Sequence, residues 1–323
     1  MELAVSEYFT VGNIFLAIVF LLILNQLVEL YQFRNMPPGP RLTSLPFVGN
    51  LLSFASPKGA KQTEQICILK EKYGNLYSLK VGSFKIVIAE DVASVKEVLV
   101  KKSADYAGRP PFHSFVMSTL GGKDIAFGNY GPAWKFHRKL FMTAVRKYIS
   151  DQELIQNQLD EESGRDRMPG LDDHPSLPLV QATIMEILRL GNVAETALPH
   201  YTLKDTTLAG YRVPKDTVVV PNLMAVHMDP SCWEDPTKFN PHRHIDGDGQ
   251  VVTNSVNFLP FSAGRQICAG EALAKVELFF FLSRMLHKFT FLPQENGVLP
   301  DLKGVDGFTR FPAPYNIRVK KRQ

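Results

Sequence analysis

The longest apolar stretch lies near the start of the chain. No charged residue occurs from Phe9 to Val28, and Ile14 to Leu24 is apolar throughout. As a helix, a run of about twenty residues spans roughly 30 Å, the thickness of a bilayer's hydrocarbon core. Glu2 and Glu7 precede the run, where a signal peptide would carry Lys or Arg, and no small-x-small cleavage site follows it. Arg34 and Arg41 lie on the far side. The pattern therefore predicts an uncleaved single-pass anchor with its N-terminus in the lumen and the body in the cytosol. Asn25, Gln26 and Glu29 soften the cytosolic end of the span. Pro37-Pro38-Gly39-Pro40 comes next; proline fixes φ and removes backbone donors, so this segment is expected to be a stiff, extended hinge that orients the body on the membrane.

Beyond the hinge, helical and strand periods alternate. Residues 60–73 predict a helix ending near Tyr73-Gly74. From Leu76 to Ala89, polar and apolar positions alternate about Gly82-Ser83, as in a β-hairpin. Asp91 is placed to cap a helix that carries Val92, Val95, Val98 and Leu99 on one face. After a loop rich in glycine, proline and aromatics, a helix is expected from near Pro132 towards Glu162. A polar, proline-containing stretch at 163–175 leads into a helix over about Leu177 to Leu190. Strand-like runs follow around Tyr211 and at Thr217–Val220, then a long loop up to Phe261. The last helix, about Gly270 to His287, has a long apolar face that includes Leu273, Val276, Phe279, Phe280 and Leu286. Phe308 to Lys320 reads as a strand pair bent at two prolines. The whole is mainly α with small β-sheets, an α+β fold without internal repeats or low-complexity tracts.

Composition narrows the function classes. At 323 residues with 45% hydrophobic and 21% charged residues, the chain has globular rather than disordered composition. A net charge of +4, with no basic stripe interleaved with aromatics, gives no reason to expect nucleic acid. Cys67, Cys232 and Cys268 stand far apart and form neither a CxxC pair nor a zinc spacing. That is a poor disulfide framework and fits a reducing compartment.

The chemistry concentrates in Phe261-Ser262-Ala263-Gly264-Arg265-Gln266-Ile267-Cys268-Ala269-Gly270, directly before the last apolar helix. A cysteine there meets free backbone N–H groups and the positive end of the helix dipole, which stabilise negative charge on sulfur. Flanking glycines let the backbone come close to something flat. An axial thiolate on haem iron has these needs; alone, the residue fits a buried structural cysteine equally well. Glu186 and Arg189 share a helical face and are flanked by apolar Ile184, Met185, Ile187, Leu188 and Leu190, so the pair is expected in the core, fixing helix packing. Trp134 and Arg138, four apart, offer an indole N–H and a guanidinium on one face, which suits a carboxylate such as a haem propionate.

Together these segments resemble the microsomal cytochrome P-450 family of haem-thiolate monooxygenases. Phe261 to Gly270 matches its F-x-x-G-x-x-x-C-x-G, Glu186/Arg189 its E-x-x-R, and Trp134/Arg138 its W-x-x-x-R. Within the family the likeness is nearest to steroid 17-alpha-hydroxylase-like and drug-metabolising animal members, through Gly108-Arg109-Pro110, Asp124-Ile125-Ala126-Phe127 and Pro199-His200. The resemblance implies haem b with Cys268 as axial ligand. It implies propionate contacts from Arg109, Trp134, Arg138 and His200, with Phe261, Gly264, Arg265 and Gly270 shaping the ligand loop. It also implies electrons from NADPH-cytochrome P-450 reductase, with cytochrome b5 as a further partner, a lipophilic substrate such as a steroid or xenobiotic, and an endoplasmic reticulum location. Lys135, Lys139, Arg146, Lys147 and Lys275 could form a basic docking face for the reductase or simply a solvated one.

Four departures qualify the resemblance. Gln266 stands where the family usually has a basic residue for a propionate, with Arg265 beside it as a substitute. The P-E-R-F segment is Pro241-His242-Arg243-His244, so Arg243 is expected to bridge to Glu186 beside a less apolar neighbour. Gly191-Asn192 replaces the usual Arg-Pro and is expected to loosen the strand entering the pocket. Between Glu162 and Gly164 a long block, which in relatives roofs the pocket and crosses the distal face of the haem, is absent; Ser118-Thr119 and Thr206-Thr207 do not replace its acid-threonine pair. The fold expected is thus a cytochrome P-450 fold lacking its central distal helices. Residues 1–36 form the anchor and start of the hinge, and 37–323 a truncated domain, 37–162 its N-terminal and 163–323 its C-terminal, haem-binding part. Two functions follow: a monooxygenase, or a catalytically dead, membrane-anchored splice product or fragment that binds haem weakly or competes for the reductase. The pocket-lining parts that remain are 111–120, 193–198 and 307–311.

Overall fold

The computed structural model describes residues 2–41, 44–46, 48–51, 62–118, 126–135, 138–139, 168–253, 255–292 and 316–321. The junction at Glu162–Gly164, most of the helix expected after Pro132, Asp124-Ile125, Arg146, Lys147 and residues 307–311 lie outside them.

Helix α1 spans Glu2–Phe33, and its segment Val11–Phe33, with a mean hydropathy of 2.3, is long and apolar enough to cross a membrane. Helix α2 (Gln62–Tyr73) ends where the sequence predicts, ahead of strands β1 (Leu76–Val81) and β2 (Phe84–Ala89), which pair antiparallel as the expected hairpin. Asp91 caps helix α3 (Val92–Lys96) by accepting the Ser94 N–H at 2.8 Å. A π-helical turn, Glu97–Lys101, continues α3, so Val95, Val98 and Leu99 all reach the interior.

Helix α4 (His113–Ser118) and a helical turn at 132–135 precede the C-terminal part. There helix α5 (Pro178–Gly191) starts with proline at its first position, where a missing N–H costs nothing. Strand β3 (His200–Tyr201), the hairpin β4 (Thr206–Leu208) and β5 (Tyr211–Val213), strand β6 (Thr217–Pro221) and the short helix α6 (Leu223–His227) follow. One four-stranded sheet, in the order β1-β2-β6-β3, contains strands from both parts of the chain. Its central pair is parallel, Lys85 opposite Thr217 through Ala89 opposite Pro221. Parallel pairing buries both faces, which is why Val87, Val218 and Val219 are fully enclosed. The same core takes in Leu99, Tyr106, Leu208, Val213, Val226 and Leu259.

Helix α7 (Glu271–Lys288) is the predicted last helix. At the C-terminus, strand β8 (Arg318–Lys321) pairs with β7 (Phe289–Leu292), the segment directly after α7. The sequence had placed the partner within Phe308–Lys320; residues 308–315 lie outside the described residues.

Candidate functional site

Helix α5 carries its charged pair inward. Glu186 and Arg189 are both completely buried. Glu186 Oε1 accepts from Arg189 Nη2 at 2.8 Å, the Asn240 amide at 3.0 Å and Arg243 Nε at 3.2 Å. Its Oε2 accepts from Arg189 Nε and His244 Nε2, each at 2.9 Å. Arg189 Nη1 donates to the His227 carbonyl at 2.7 Å, and its guanidinium lies 5.3 Å from the Trp233 ring centroid. Burial alone would push the Glu186 carboxyl up, but hydrogen bonds from Arg189, His244 and the Asn240 amide hold it well below the usual carboxylate range. Arg243 bridges to Glu186 as the family resemblance implied, and anchors the loop by donating to the Glu234, Asp235 and Lys238 carbonyls.

Two residues of this cluster do more than the sequence promised. His244, in the place of an apolar ring, still packs against Trp233 and Phe258 at 5.7 and 5.5 Å while its Nε2–H reaches the carboxylate. Asn192, expected to loosen the chain after α5, instead caps it. It adopts the left-handed conformation (φ 38°), and its buried Oδ1 accepts from His227 Nδ1 at 3.0 Å. The other His227 nitrogen accepts the Leu259 N–H at 2.9 Å, so the ring is neutral; burial first, then the Arg189 charge, lowers its pKa to about 3.

The cysteine loop runs from Phe261 into the N-terminal end of α7, where Gly270 is the cap residue. The Cys268 N–H donates to the Phe261 carbonyl at 2.9 Å, closing the loop, and the Cys268 side chain is exposed. Gly264 (φ +73°) has no room for a side chain, because a Cβ would collide with the Leu99 carbonyl. Its backbone thus lies directly against the π-helical turn. Ser262 also has a positive φ (63°), and its buried hydroxyl lacks a hydrogen-bond partner. Gln266 is buried; its Nε2 donates to the Ala107 carbonyl at 2.8 Å, and its Oε1 accepts from Arg109 Nη2 at 3.3 Å.

The cations expected around a haem edge divide into two groups. Arg138 stacks over Trp134, its guanidinium carbon 5.2 Å from the ring centroid, and lies close enough to Cys268 for their charges to interact. Burial lowers its pKa, and the nearby sulfur partly restores it. Arg265 is exposed, donates to the Tyr130 hydroxyl and sits over that ring at 4.9 Å. Arg109, by contrast, is sunk into the protein. Its Nε donates to the Ala126 carbonyl at 2.9 Å and its Nη1 to the Leu198 and Pro199 carbonyls at 3.0 and 3.1 Å. His200 is buried with Nδ1 on the Tyr106 carbonyl at 2.7 Å, and burial together with Arg109 lowers its pKa to about 3. Neutral, with its one N–H on that carbonyl, His200 can donate to an anion only after taking a second proton. Lys135 lies 4.8 Å from the Tyr130 ring centroid, and Lys275 pairs with Glu271 at 2.7 Å.

For haem, the proximal side of this arrangement fits. It offers an exposed sulfur at a helix N-terminus, a guanidinium within electrostatic reach of it, and an unpaired buried hydroxyl in the same loop.

Comparison with known proteins agrees with that chemistry. The sequence model of the cytochrome P-450 family matches residues 37–153 and 147–319, and the chain belongs to that family. It is 43% identical to cytochrome P-450 2U1 of Rattus norvegicus over 171 residues, 53% of this chain and 32% of the rat protein. The chain thus matches about a third of the length of that relative. It is 40% identical over 468 residues to steroid 17-alpha-hydroxylase/17,20 lyase of Gallus gallus, covering 87% of this chain and 92% of the chicken protein. A solved zebra fish cytochrome P-450, in a structure with abiraterone, superimposes with a TM-score of 0.66 at 25% identity, covering 79% of this chain and 98% of that one. The family is one of haem-iron monooxygenases.

Proposed function

We propose that this chain is a haem-thiolate monooxygenase of the endoplasmic reticulum membrane, with haem b bound through Cys268. The observation that carries this reading is the exposed Cys268 just before α7, with Arg138 within electrostatic reach of it and stacked on Trp134. Haem, when bound, would supply the activation of dioxygen, one atom going into a C–H bond of a lipophilic substrate and the other leaving as water. This chain's own residues hold and orient. Cys268 would ligate the iron, and Arg138 and Arg265 would meet propionate charge. Arg109, Gln266 and His200 fix the walls of the seat through their carbonyl contacts, with His200 joining the charge balance on protonation. Phe261, Gly264 and Gly270 set the path of the ligand loop.

The likeness to steroid 17-alpha-hydroxylases supports a steroid or a similar xenobiotic as substrate. NADPH-cytochrome P-450 reductase, with cytochrome b5, would supply the electrons, docking near Lys135, Lys139 and Lys275. The apolar helix α1 supports a single-pass anchor, and Arg34 and Arg41 just beyond it support a cytosolic body.

A second reading, a catalytically dead splice product or fragment, is favoured by one observation. The family match falls into two pieces that meet at 147–153, and the alignment with the chicken relative extends over 468 positions against 323 residues here. A central deletion in a cytochrome P-450 fold produces that pattern. The test is the reduced, carbon-monoxide-bound difference spectrum of the purified chain, with Cys268→Ser as control. A red-shifted thiolate band that disappears in the variant supports haem ligation by Cys268, and oxygen insertion into a steroid then separates the two functions. Folded protein that takes up no haem sinks the monooxygenase reading.

A further inference from the structure

Helices α5 and α7 pack together, and beside their contact, walled on another side by the 251–258 loop, lies a cavity of about 140 Å³. Gln181, Ile184, Met185 and Leu188 line it at three- and four-residue spacing. They therefore form one stripe of α5, distinct from the stripe of Glu186 and Arg189. Val251 and Phe258 complete the apolar lining. The walls are held in place from behind. Val251 forms a β-bridge with Ile245, and the Phe258 ring packs on His227 and His244 at 6.1 and 5.5 Å. His174, which also lines the cavity, rests its ring on Phe279 at 4.8 Å, and its carbonyl accepts from Gln181 Nε2. Apolar cavities of this size and rigidity take a molecule as large as benzene.

The charge at the edge narrows the class of ligand. Two lining residues are basic: burial lowers the pKa of His174, so its ring is uncharged at neutral pH, and Lys275 of α7 carries the positive charge. Among the described residues no carboxylate lines the cavity. Glu271, one turn back on α7, pairs with Lys275 at 2.7 Å, but the two side chains are 31% and 48% exposed. An exposed pair of that kind is weak, so the ammonium can turn to a second anion. An apolar hole with one cation at its edge suits a single ring that carries a short anionic arm. Pockets for drug-sized ligands run to about 300–1,000 Å³, so a steroid does not fit here. Cys268, Trp134 and Arg138 do not line the cavity either, which sets it apart from the haem seat.

We propose that the cavity between α5, α7 and the 251–258 loop is a second small-molecule site, which takes a one-ring aryl-alkyl carboxylate with its ring between the helices and its carboxylate on Lys275. The probe is para-fluorohydrocinnamate, titrated against the full chain in detergent micelles and followed by fluorine NMR, beside its uncharged amide. Saturable binding with a Kd of about 1 mM is expected, the scale for roughly a dozen non-hydrogen atoms. The amide should bind about fivefold more weakly, the worth of one exposed ion pair. Lys275→Gln should remove that difference, acid and amide then binding alike. Val251→Phe fills the cavity and should abolish binding of both, with urea unfolding showing that the variant is folded. Cys268→Ser should bind as the unsubstituted chain does. Absence of saturation up to about 10 mM overturns the site. Equal binding of acid and amide to the unsubstituted chain, a result that needs no variant, overturns the carboxylate assignment. Binding that persists in folded Val251→Phe places the probe elsewhere, and binding lost in Cys268→Ser or on adding haem places it in the haem seat; either overturns the proposal.

Discussion

The Glu186 cluster and the Cys268 loop are both announced by short spacings in the sequence, yet they are finished in opposite ways. Around Glu186 one carboxylate receives five donors from α5 and the 240–244 loop, and every nitrogen facing it is already paired. Around Cys268 the backbone is tied down through Phe261, Gly264 and Gln266, but the sulfur is exposed and the Ser262 hydroxyl has no partner. A motif that serves the fold closes on itself, because an unpaired buried charge is costly. A motif that serves a ligand holds its frame rigid and leaves its working atom unsatisfied. If the comparison is sound, substitutions at the two places should separate stability from cofactor binding.

The largest effect is expected from Glu186→Gln. It strands Arg189, wholly buried, and leaves Arg243 and His244 without their carboxylate. Removing one partner of such a pair costs about 3–5 kcal/mol, which urea unfolding of the variant would report. A loss below about 1 kcal/mol would show that the cluster is not closed as described.

Acidification should act next most strongly, through histidines that are buried neutral. His200 and His227 have pKa values lowered from 6.5 to about 3, by burial first and by Arg109 and Arg189 respectively. Their folded-state pKa lies below the unfolded one, so the stability they contribute is full above pH 6.5 and is lost as the pH falls towards 3. Between about pH 7.5 and 5.5 the two together should cost about 2–3 kcal/mol. The depressed Glu186 carboxyl begins to matter only below its ordinary value of 4.5, so this window reports histidines alone, with His174, whose pKa burial also lowers, adding to the loss in the same direction. Equal urea midpoints at both pH values would mean that the two rings are open to water.

A smaller loss is expected from His244→Phe. The ring packing against Trp233 and Phe258 survives, and Glu186 keeps four of its donors. What goes is one hydrogen bond to a charged group, about 1.5 kcal/mol. Thermal unfolding beside Glu186→Gln would rank the two, and a loss equal to that of Glu186→Gln would make His244, not the arginines, the member that closes the cluster.

What could be seen in the sequence follows the same division. The hairpin about Gly82, the Asp91 cap and the Glu186/Arg189 pair depend on local periods and a bonding rule, and all are present, whereas Arg243 was expected beside Glu186 only through the family resemblance. Less legible were features that exist only once distant segments meet. Strand β7 is an apolar Phe-Thr-Phe-Leu continuing the apolar face of α7, and no change of period marks its start. Asn25, Gln26 and Glu29 weaken a membrane span when read along the chain, and Glu29 is explained only by Lys80, fifty-one residues away. Gln266 looked like the loss of a charge; its contacts with Ala107 and Arg109 arise across more than 150 residues.

The smallest stability effect, and the sharpest test of the comparison, is Cys268→Ser. The side chain is exposed and its backbone N–H, bonded to the Phe261 carbonyl, is kept in the variant. Exposed substitutions of similar size stay within about 0.5 kcal/mol, so the urea midpoint of the haem-free protein should not move. Serine has no thiolate to offer iron, so any thiolate-type spectrum should vanish. The two readouts must therefore part: full loss of the spectrum with unchanged unfolding. A variant that unfolds much more easily would make Cys268 a structural cysteine after all, and would place the loop on the closed side of the comparison, with Glu186. Parting of the readouts leaves the loop where its geometry puts it, rigid at Gly264 and Gln266 and open at the sulfur.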